Sequence, residues 1–249
     1  MQSARKRIET ENLILDTAVF SDWEAMYRNL WSQEESAKYM RWRVTQSAEE
    51  AQERMRRTIA WQKEHPLAWT VFRKAHKGSV RVRRSAGRAI GGAVGAAGEK
   101  VAGETIRNMT GEAIGFAGIT KIADGVYEDT GIAVGPAFVR RGYGKQIVTA
   151  LLEYCFWELG AERFVYSCRS LNLASCALAL SCGFRRTHSE TRTDPQNGSQ
   201  YVLEFYEQRR EDFEQCREAG GQCMKNCEQS GEVGGQCMEN SEQSREIGG

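Results

Sequence analysis

Residues 131–154 read GIAVGPAFVRRGYGKQIVTALLEY. The pattern predicts a strand over residues 129–138, then a turn, then an amphipathic helix over residues 144–160 that stops at Gly160. The turn between them follows the carboxyl end of a strand, which is where α/β folds bind their ligands. This stretch therefore predicts both a local fold and the place of a binding site.

Two glycines, Gly142 and Gly144, stand where this helix must begin. A helix N-terminus leaves several backbone N–H groups unpaired and carries a partial positive charge. Small residues let those N–H groups point at a phosphate, and Arg140, Arg141 and Lys145 add positive charge. An ordinary glycine-bearing turn is the alternative, because a Gly-x-Gly is a weak signal by itself. The turn matches neither a Walker loop nor a dinucleotide fingerprint.

The segments around this turn predict the rest of the domain. Residues 67–74 and 112–122 have the composition of strands and would be neighbours in a hairpin. The predicted order is a strand, two helices, an antiparallel run of strands, and then strand, helix, strand, helix, strand. This order predicts a mixed α/β fold, with a mostly antiparallel sheet and helices on both faces.

Composition divides the 249 residues into a globular domain and two low-complexity segments. The predicted domain covers residues 1–207 and is interrupted by a Gly-, Ala- and Arg-rich insert at 77–110. The tail, residues 208–249, contains copies of a 14-residue repeat with few apolar positions, so we expect both segments to be disordered.

The tail cysteines do not form a strong metal signature. Cys223 and Cys227 are four residues apart in one repeat, but Ser241 replaces the second cysteine in the next copy. Zinc signatures have two matched ligand pairs. We therefore expect no metal.

Bulk properties narrow the class of protein. The formal net charge of +1 argues against a nucleic-acid-binding domain, and no apolar run is long enough to span a membrane. The N-terminal residues lack the apolar core of a secretory signal. We expect a cytoplasmic protein, monomeric or homodimeric, with buried thiols. The cysteines in apolar patterns are Cys155, Cys168, Cys176 and Cys182.

Residues 131–154 resemble the acetyl-CoA-binding motif of the GCN5-related N-acetyltransferase (GNAT) family. The downstream segment LNLASCALALSCGF, residues 171–184, resembles the second motif of that family. Residues 7–27 and 112–122 look like the branch that includes the ribosomal-protein N-terminal acetyltransferases. The resemblance covers about residues 7–76 and 111–207, and it implies acetyl transfer from acetyl-CoA to an amine without a covalent enzyme intermediate.

The resemblance also implies roles for particular residues. The backbone of the strand would bind the pantetheine arm, and Asn172 would contact the donor or an ordered water near its thioester. The position that is often Gln or Arg at the start of the pyrophosphate loop is Val139, for which Arg140 or Arg141 would substitute. The implied backbone contacts are Ile132, Ala133 and Val134 for pantetheine, and Arg141, Gly142, Tyr143, Gly144 and Lys145 for the pyrophosphate.

The catalytic residues follow the family pattern less closely. Many members have a tyrosine seven residues after the motif asparagine, where this chain has Ala179. The ribosomal branch often has a serine three residues after that asparagine, so Ser175 is the candidate donor to the leaving thiolate, with helix capping or packing as its alternative role. Glu128 and Asp129 are candidate bases for the amine, or solvated carboxylates.

The sequence indicates less about the acceptor than about the acetyl donor. Arg41, Trp42 and Arg43 would form a basic, aromatic lip of an acceptor groove, or simply a packed turn between helices. We expect an N-acetyltransferase acting on a protein N-terminus or a small amine. The alternatives are an acyl-CoA-binding module with impaired catalysis and a scaffold that acts through its insert and tail.

Overall fold

The computed structural model describes residues 7–75, 111–194 and 197–218. Their contacts group the chain into two compact units. The first contains Met1–Thr120 and Asp129–Leu152, and the second contains Lys121–Glu128 and Glu153–Gly249. The predicted insert at 77–110 and the tail repeats after residue 218 lie outside the described residues. The fold class is confirmed as mixed α/β.

The first unit is an antiparallel sheet with helices. Its strands pair in the order β1, β2, β3 and β4, and strand β5 follows β4. Strands β4 and β5 contribute residues to both units. The strands are β1 (Ile8–Glu9), β2 (Leu13–Asp16), β3 (Ala68–Arg73), β4 (Glu112–Ala123) and β5 (Val126–Val134).

The helices of this unit begin where the sequence supplies caps. Ser47 caps the longest helix, because its side chain accepts a hydrogen bond from the Glu50 N–H at 3.2 Å. The spacing of Ser47 and Glu50 is that of a capping box, and the Glu50 carboxylate accepts in turn from the N–H of Gln46, the residue before the cap, at 2.8 Å. The helices are α1 (Trp23–Met26, continued by a π-helical turn over Tyr27–Trp31), α2 (Glu34–Ala37), α3 (Ala48–Glu64) and α4 (Tyr143–Glu153).

Both faces of the first unit's sheet are covered. Successive strand residues point to opposite faces, and both Ile14 and Leu15 of β2 are buried. Ile14 belongs to a core that includes Met26 and Met55 of the helices. Burial of each large apolar side chain on these strands contributes about 1.5–3 kcal/mol to the free energy of folding.

The hairpin predicted across the insert is confirmed. Strands β3 and β4 pair antiparallel, with Ala68 opposite Gly118 and Arg73 opposite Glu112. Arg73 Nη2 and a Glu112 carboxylate oxygen lie 2.9 Å apart at the open end. The chain therefore leaves the sheet and returns to it at adjacent positions.

The second unit carries its own part of the sheet. Strand β6 pairs in parallel with the first residues of β5 and antiparallel with β8, which pairs antiparallel with β7. The strands are β6 (Arg163–Arg169), β7 (Arg185–Thr193) and β8 (Gln200–Arg209), and the helices are α5 (Leu173–Ser181) and α6 (Arg210–Glu218). Gly160 ends the preceding π-helical turn, Tyr154–Glu158, with φ of 67°, as the sequence predicted.

The boundary predicted at residue 207 is too early. Strand β8 continues to Arg209, and α6 then extends the ordered chain through Glu218. Phe213 is 1% exposed and packs its ring 5.5 Å from the ring of Phe156, and Cys216 is also buried. Phe213 and Cys216, three positions apart on one helix face, pack this segment against the unit.

No helix among the described residues is long and apolar enough to cross a membrane.

Candidate functional site

The turn between β5 and α4 has an unusual backbone. After the 3₁₀ turn Pro136–Phe138, Val139 is extended, and Arg140 and Gly142 both have positive φ, 59° and 76°. Arg140 is the non-glycine residue with positive φ among the residues that the structure describes. Holding arginine there costs of order 1–3 kcal/mol, and such strain concentrates at functional sites. Left-handed residues in a turn can create a concave cluster of backbone N–H groups that binds anions.

The helix that follows leaves its first amides available. The N–H of Gln146 bonds the Gly142 carbonyl at 3.1 Å, which makes Gly142 the cap of α4. Within the described residues, the structure gives no acceptor to the N–H groups of Gly142, Tyr143, Gly144 and Lys145. A Cβ built on Gly142 meets nothing within 4 Å. The turn therefore has room and donors for an anion, and it fits the diphosphate of coenzyme A.

The charged side chains around this turn face water. Arg140 and Arg141 are exposed, and Lys145 is half-buried. The Arg141 guanidinium lies 5.8 Å from the Phe138 ring centre. Val139 is 52% exposed, so it contributes no polar contact at the position where the family often has Gln or Arg. These exposed charges add attraction that salt would screen.

The predicted pantetheine strand lies at the end of β5. Ile132 and Val134 are partly buried, and Ala133 between them is buried. The parallel ladder between β5 and β6 pairs Val126–Glu128 only. Residues 132–134 lie beyond that ladder, so their backbone on this edge has no strand partner among the described residues.

The motif strand begins before the predicted residue 129, so both candidate bases lie inside it. Glu128 and Asp129 are consecutive residues of β5, so their side chains point to opposite faces. A Glu128 carboxylate oxygen accepts a hydrogen bond of 3.5 Å from the Ser167 hydroxyl of β6. The strand geometry therefore allows only one of the two carboxylates on any one face.

Asn172 caps helix α5. Its side-chain Oδ1 accepts from the Ser175 N–H at 3.2 Å. Ser175 is not merely part of this cap, because its hydroxyl also lies 2.7 Å from the hydroxyl of Tyr166 on β6. Sequence reasoning missed Tyr166, and the only signal for it was its place in a predicted strand. The structure thus brings Asn172, Ser175 and Tyr166 together within the second unit.

A cavity of about 300 Å³ lies in the first unit. Five aromatic residues contribute to its wall, and its volume suits a small ligand or one side chain. Trp42, which the sequence proposed as part of an acceptor lip, lines this cavity, whereas Arg41 and Arg43 are exposed residues outside its lining. The other aromatic residues of the wall are Trp31, Trp61, Trp69 and Phe116.

The positive charge of the cavity comes from Arg54, which sequence reasoning missed. Its guanidinium carbon lies 4.4 Å from the Trp42 ring centre and 4.8 Å from that of Trp31. Arg54 also donates to the Thr45 hydroxyl at 3.0 Å, and no carboxylate among the described residues forms an ion pair with it. Burial, aided by the charge of Arg57, lowers the pKa of Arg54 to about 10, so the group stays charged at neutral pH.

Within the described ranges, no three His, Cys, Asp or Glu side chains come together as a metal site would need.

Comparison with protein families matches residues 12–185 to the acetyltransferase (GNAT) domain. No curated protein sequence matches the chain.

Solved structures share the fold at low sequence identity. A GNAT-family acetyltransferase from Bacillus anthracis is 19% identical, with a TM-score of 0.59, and the match covers 83% of this chain and 99% of that one. A Salmonella typhimurium acetyl transferase that modifies the N-terminal serine of ribosomal protein L7/L12 is 17% identical, with a TM-score of 0.56 and coverage of 82% and 99%. The microcin C7 self-immunity acetyltransferase MccE, solved with acetyl-CoA and AMP, is 17% identical, with a TM-score of 0.57 and coverage of 80% and 93%.

Proposed function

The chain belongs to the acetyltransferase (GNAT) family, and we propose that it transfers the acetyl group of acetyl-CoA to a primary amine of a protein N-terminus or a small molecule. The observation that carries this proposal is the turn at Arg140–Lys145. It combines two left-handed residues with four backbone N–H groups that have no acceptor among the described residues. Such a turn suits the diphosphate of the acetyl donor.

The related structures support both halves of the reaction. MccE was solved with acetyl-CoA, and the Salmonella enzyme acetylates a protein N-terminus. An α-amine has a pKa of about 7.7–8.0, so a useful fraction is neutral at physiological pH, whereas lysine, at about 10.4, requires more help. This difference favours an α-amine as acceptor.

The aromatic cavity of the first unit is proposed as the acceptor pocket. Its tryptophans and Phe116 suit an apolar or planar group, and Arg54 disfavours a cation beside it. The Arg54 guanidinium has no ion-pair partner among the described residues, so it can bind a carboxylate of the acceptor. We therefore propose a preference for acceptors that carry a carboxylate near the amine.

Arg54→Met tests this preference, because methionine keeps an apolar stem and removes the charge. For acceptors that differ only in Asp or Asn as first residue, we expect kcat/KM of the Asp acceptor to fall about tenfold, the loss of one charged hydrogen bond. The Asn acceptor should change less than about twofold. Arg57→Met is the control, because Arg57 lies on the same helix, is exposed and does not line the cavity. An equal loss for both acceptors would contradict the preference.

Two measurements test the activity itself. Acetyl-CoA at 100 times its dissociation constant should stabilise the protein by about 2.7 kcal/mol in a thermal-shift titration. Release of free coenzyme A thiol, followed against a panel of peptides and small amines, should then identify the acceptor. Tight binding of acetyl-CoA without turnover on any amine would favour an impaired acyl-CoA-binding module. Absence of acetyl-CoA binding would exclude both the acetyltransferase and the binding module.

A further inference from the structure

Two thiols of the second unit lie in contact. The Sγ atoms of Cys168, on β6, and Cys176, on α5, are 3.5 Å apart. Neither is in a disulfide, and the two residues are eight positions apart in the chain, on different elements. A disulfide requires about 2.05 Å between the sulfur atoms, so a shift of roughly 1.5 Å would join them.

The two thiols differ in exposure. Cys168 is 6% exposed, whereas Cys176 is partly exposed, which corrects the expectation that it is a buried thiol. Cys176 also lies in the second turn of α5, near the positive end of the helix. An oxidant in solution would thus reach Cys176 first, with Cys168 behind it.

Several groups around Cys176 set the state of its thiol. Hydrogen bonds from the Cys168 thiol and the Tyr206 hydroxyl outweigh burial and lower the pKa of Cys176 to about 6. Glu204, on β8, opposes this shift, but its carboxylate is paired with Arg186 of β7. Since the pKa is lowered, the thiolate dominates above about pH 6 and is lost as the pH falls through that value. Cys176 is therefore a nucleophile at neutral pH.

We propose that Cys168 and Cys176 form a peroxide-sensitive dithiol that closes to a reversible disulfide, a modification that is not itself a step of acetyl transfer. The Cys176 thiolate attacks a hydroperoxide oxygen, the O–O bond breaks, and sulfenic acid and hydroxide (or alkoxide) form. The Cys168 thiol then attacks the sulfenic sulfur, its proton leaves with the hydroxyl as water, and the S–S bond forms. Two electrons pass from the two sulfur atoms to the peroxide, and an external dithiol returns them.

This modification would act at the candidate site. Cys176 directly follows Ser175, and Cys168 lies two residues after Tyr166. A disulfide would tie the start of α5 to β6 beside the Ser175–Tyr166 hydroxyl pair. The redox state of the dithiol would then affect this hydroxyl pair, in which Ser175 is the candidate donor to the leaving thiolate.

Peptide mapping tests the proposal on the full chain and does not depend on acetyltransferase activity. After treatment with hydrogen peroxide, trypsin should release FVYSCR, residues 164–169, linked to residues 170–185, and dithiothreitol should separate the two. The second peptide also contains Cys182, so Cys182→Ser is the matched control and should keep the link. Cys176→Ser should abolish it.

A second measurement follows the thiolate of Cys176. Its alkylation by iodoacetamide should reach half its maximal rate near pH 6 in the wild type. In Cys168→Ala, which loses the thiol hydrogen bond, this midpoint should move to higher pH, and peroxide should carry Cys176 on to sulfinic acid. A link that persists in Cys176→Ser, or sulfinic acid without any link in the wild type, would overturn the proposal.

Discussion

Replacing Gly142 with leucine is expected to weaken coenzyme A binding about 100-fold, which is about 2.7 kcal/mol. Gly142 has φ of 76°, a conformation that costs other L-residues roughly 1–2 kcal/mol. The loop can relieve that cost only by changing φ, which would turn the N–H groups of Tyr143 and Gly144 away from the bound anion. A leucine side chain would also fill the space above those groups, where a Cβ meets nothing within 4 Å. Isothermal titration with coenzyme A measures the loss.

Gly160 supplies a matched control for backbone strain. It also has a positive φ, 67°, and a Cβ built on it meets nothing within 4 Å, but it lies beyond the other end of the same helical segment. Gly160→Leu should lower the thermal stability about as much as Gly142→Leu and leave coenzyme A affinity within about twofold. Equal losses of affinity in the two variants would attribute the effect to general destabilisation and remove the main support for the proposed function.

Replacing Ser175 with alanine is expected to lower kcat about 100-fold without changing the KM for acetyl-CoA. This loss of rate is at the low end of the range expected when a general acid is removed. The hydroxyls of Ser175 and Tyr166 lie 2.7 Å apart, so one donates to the other. We propose that the Ser175 hydroxyl stabilises the thiolate of departing coenzyme A. Steady-state kinetics with the identified acceptor gives both constants.

The capping role of Ser175 must be separated from this chemistry. The N–H that bonds Asn172 belongs to the backbone and survives in Ser175→Ala, so helix α5 should keep its cap. Ser181→Ala is the control, because the Ser181 hydroxyl donates to the Leu178 carbonyl at 2.9 Å on the same helix. Tyr166→Phe should lower kcat if the pair acts together. An unchanged kcat in Ser175→Ala would show that the serine hydroxyl serves packing and not catalysis.

Local patterns predicted the parts of the fold that depend on local physics. The stop at Gly160 and the cap at Ser47 each follow from backbone geometry within a few residues. The β3–β4 hairpin was also predictable, because alternation identified both strands on either side of the insert. The same physics predicts an anion site at the glycine turn before α4, and this site stays a prediction.

The remaining features depend on contacts that a single sequence does not display. Strand β7 has almost no apolar alternation, because it is an edge strand whose side chains are polar or charged and mostly exposed. Arg54 and Tyr166 belong to the candidate sites because of their contacts with residues of other elements. Their positions within a helix and a strand did not indicate those contacts. Helix α6 was merged with the repeats that follow it, because its composition resembles theirs.

The ion pair between Arg73 and Glu112 lies where the chain leaves strand β3 and returns to strand β4. Because the two residues face each other across neighbouring strands, anything inserted between them must begin and end at nearly the same point. The entropy of closing such a loop rises only by about 0.6 kcal/mol for each doubling of its length. Evolution could therefore lengthen the chain here with little effect on the stability of the domain, and a reporter peptide or small domain could be introduced at the same place.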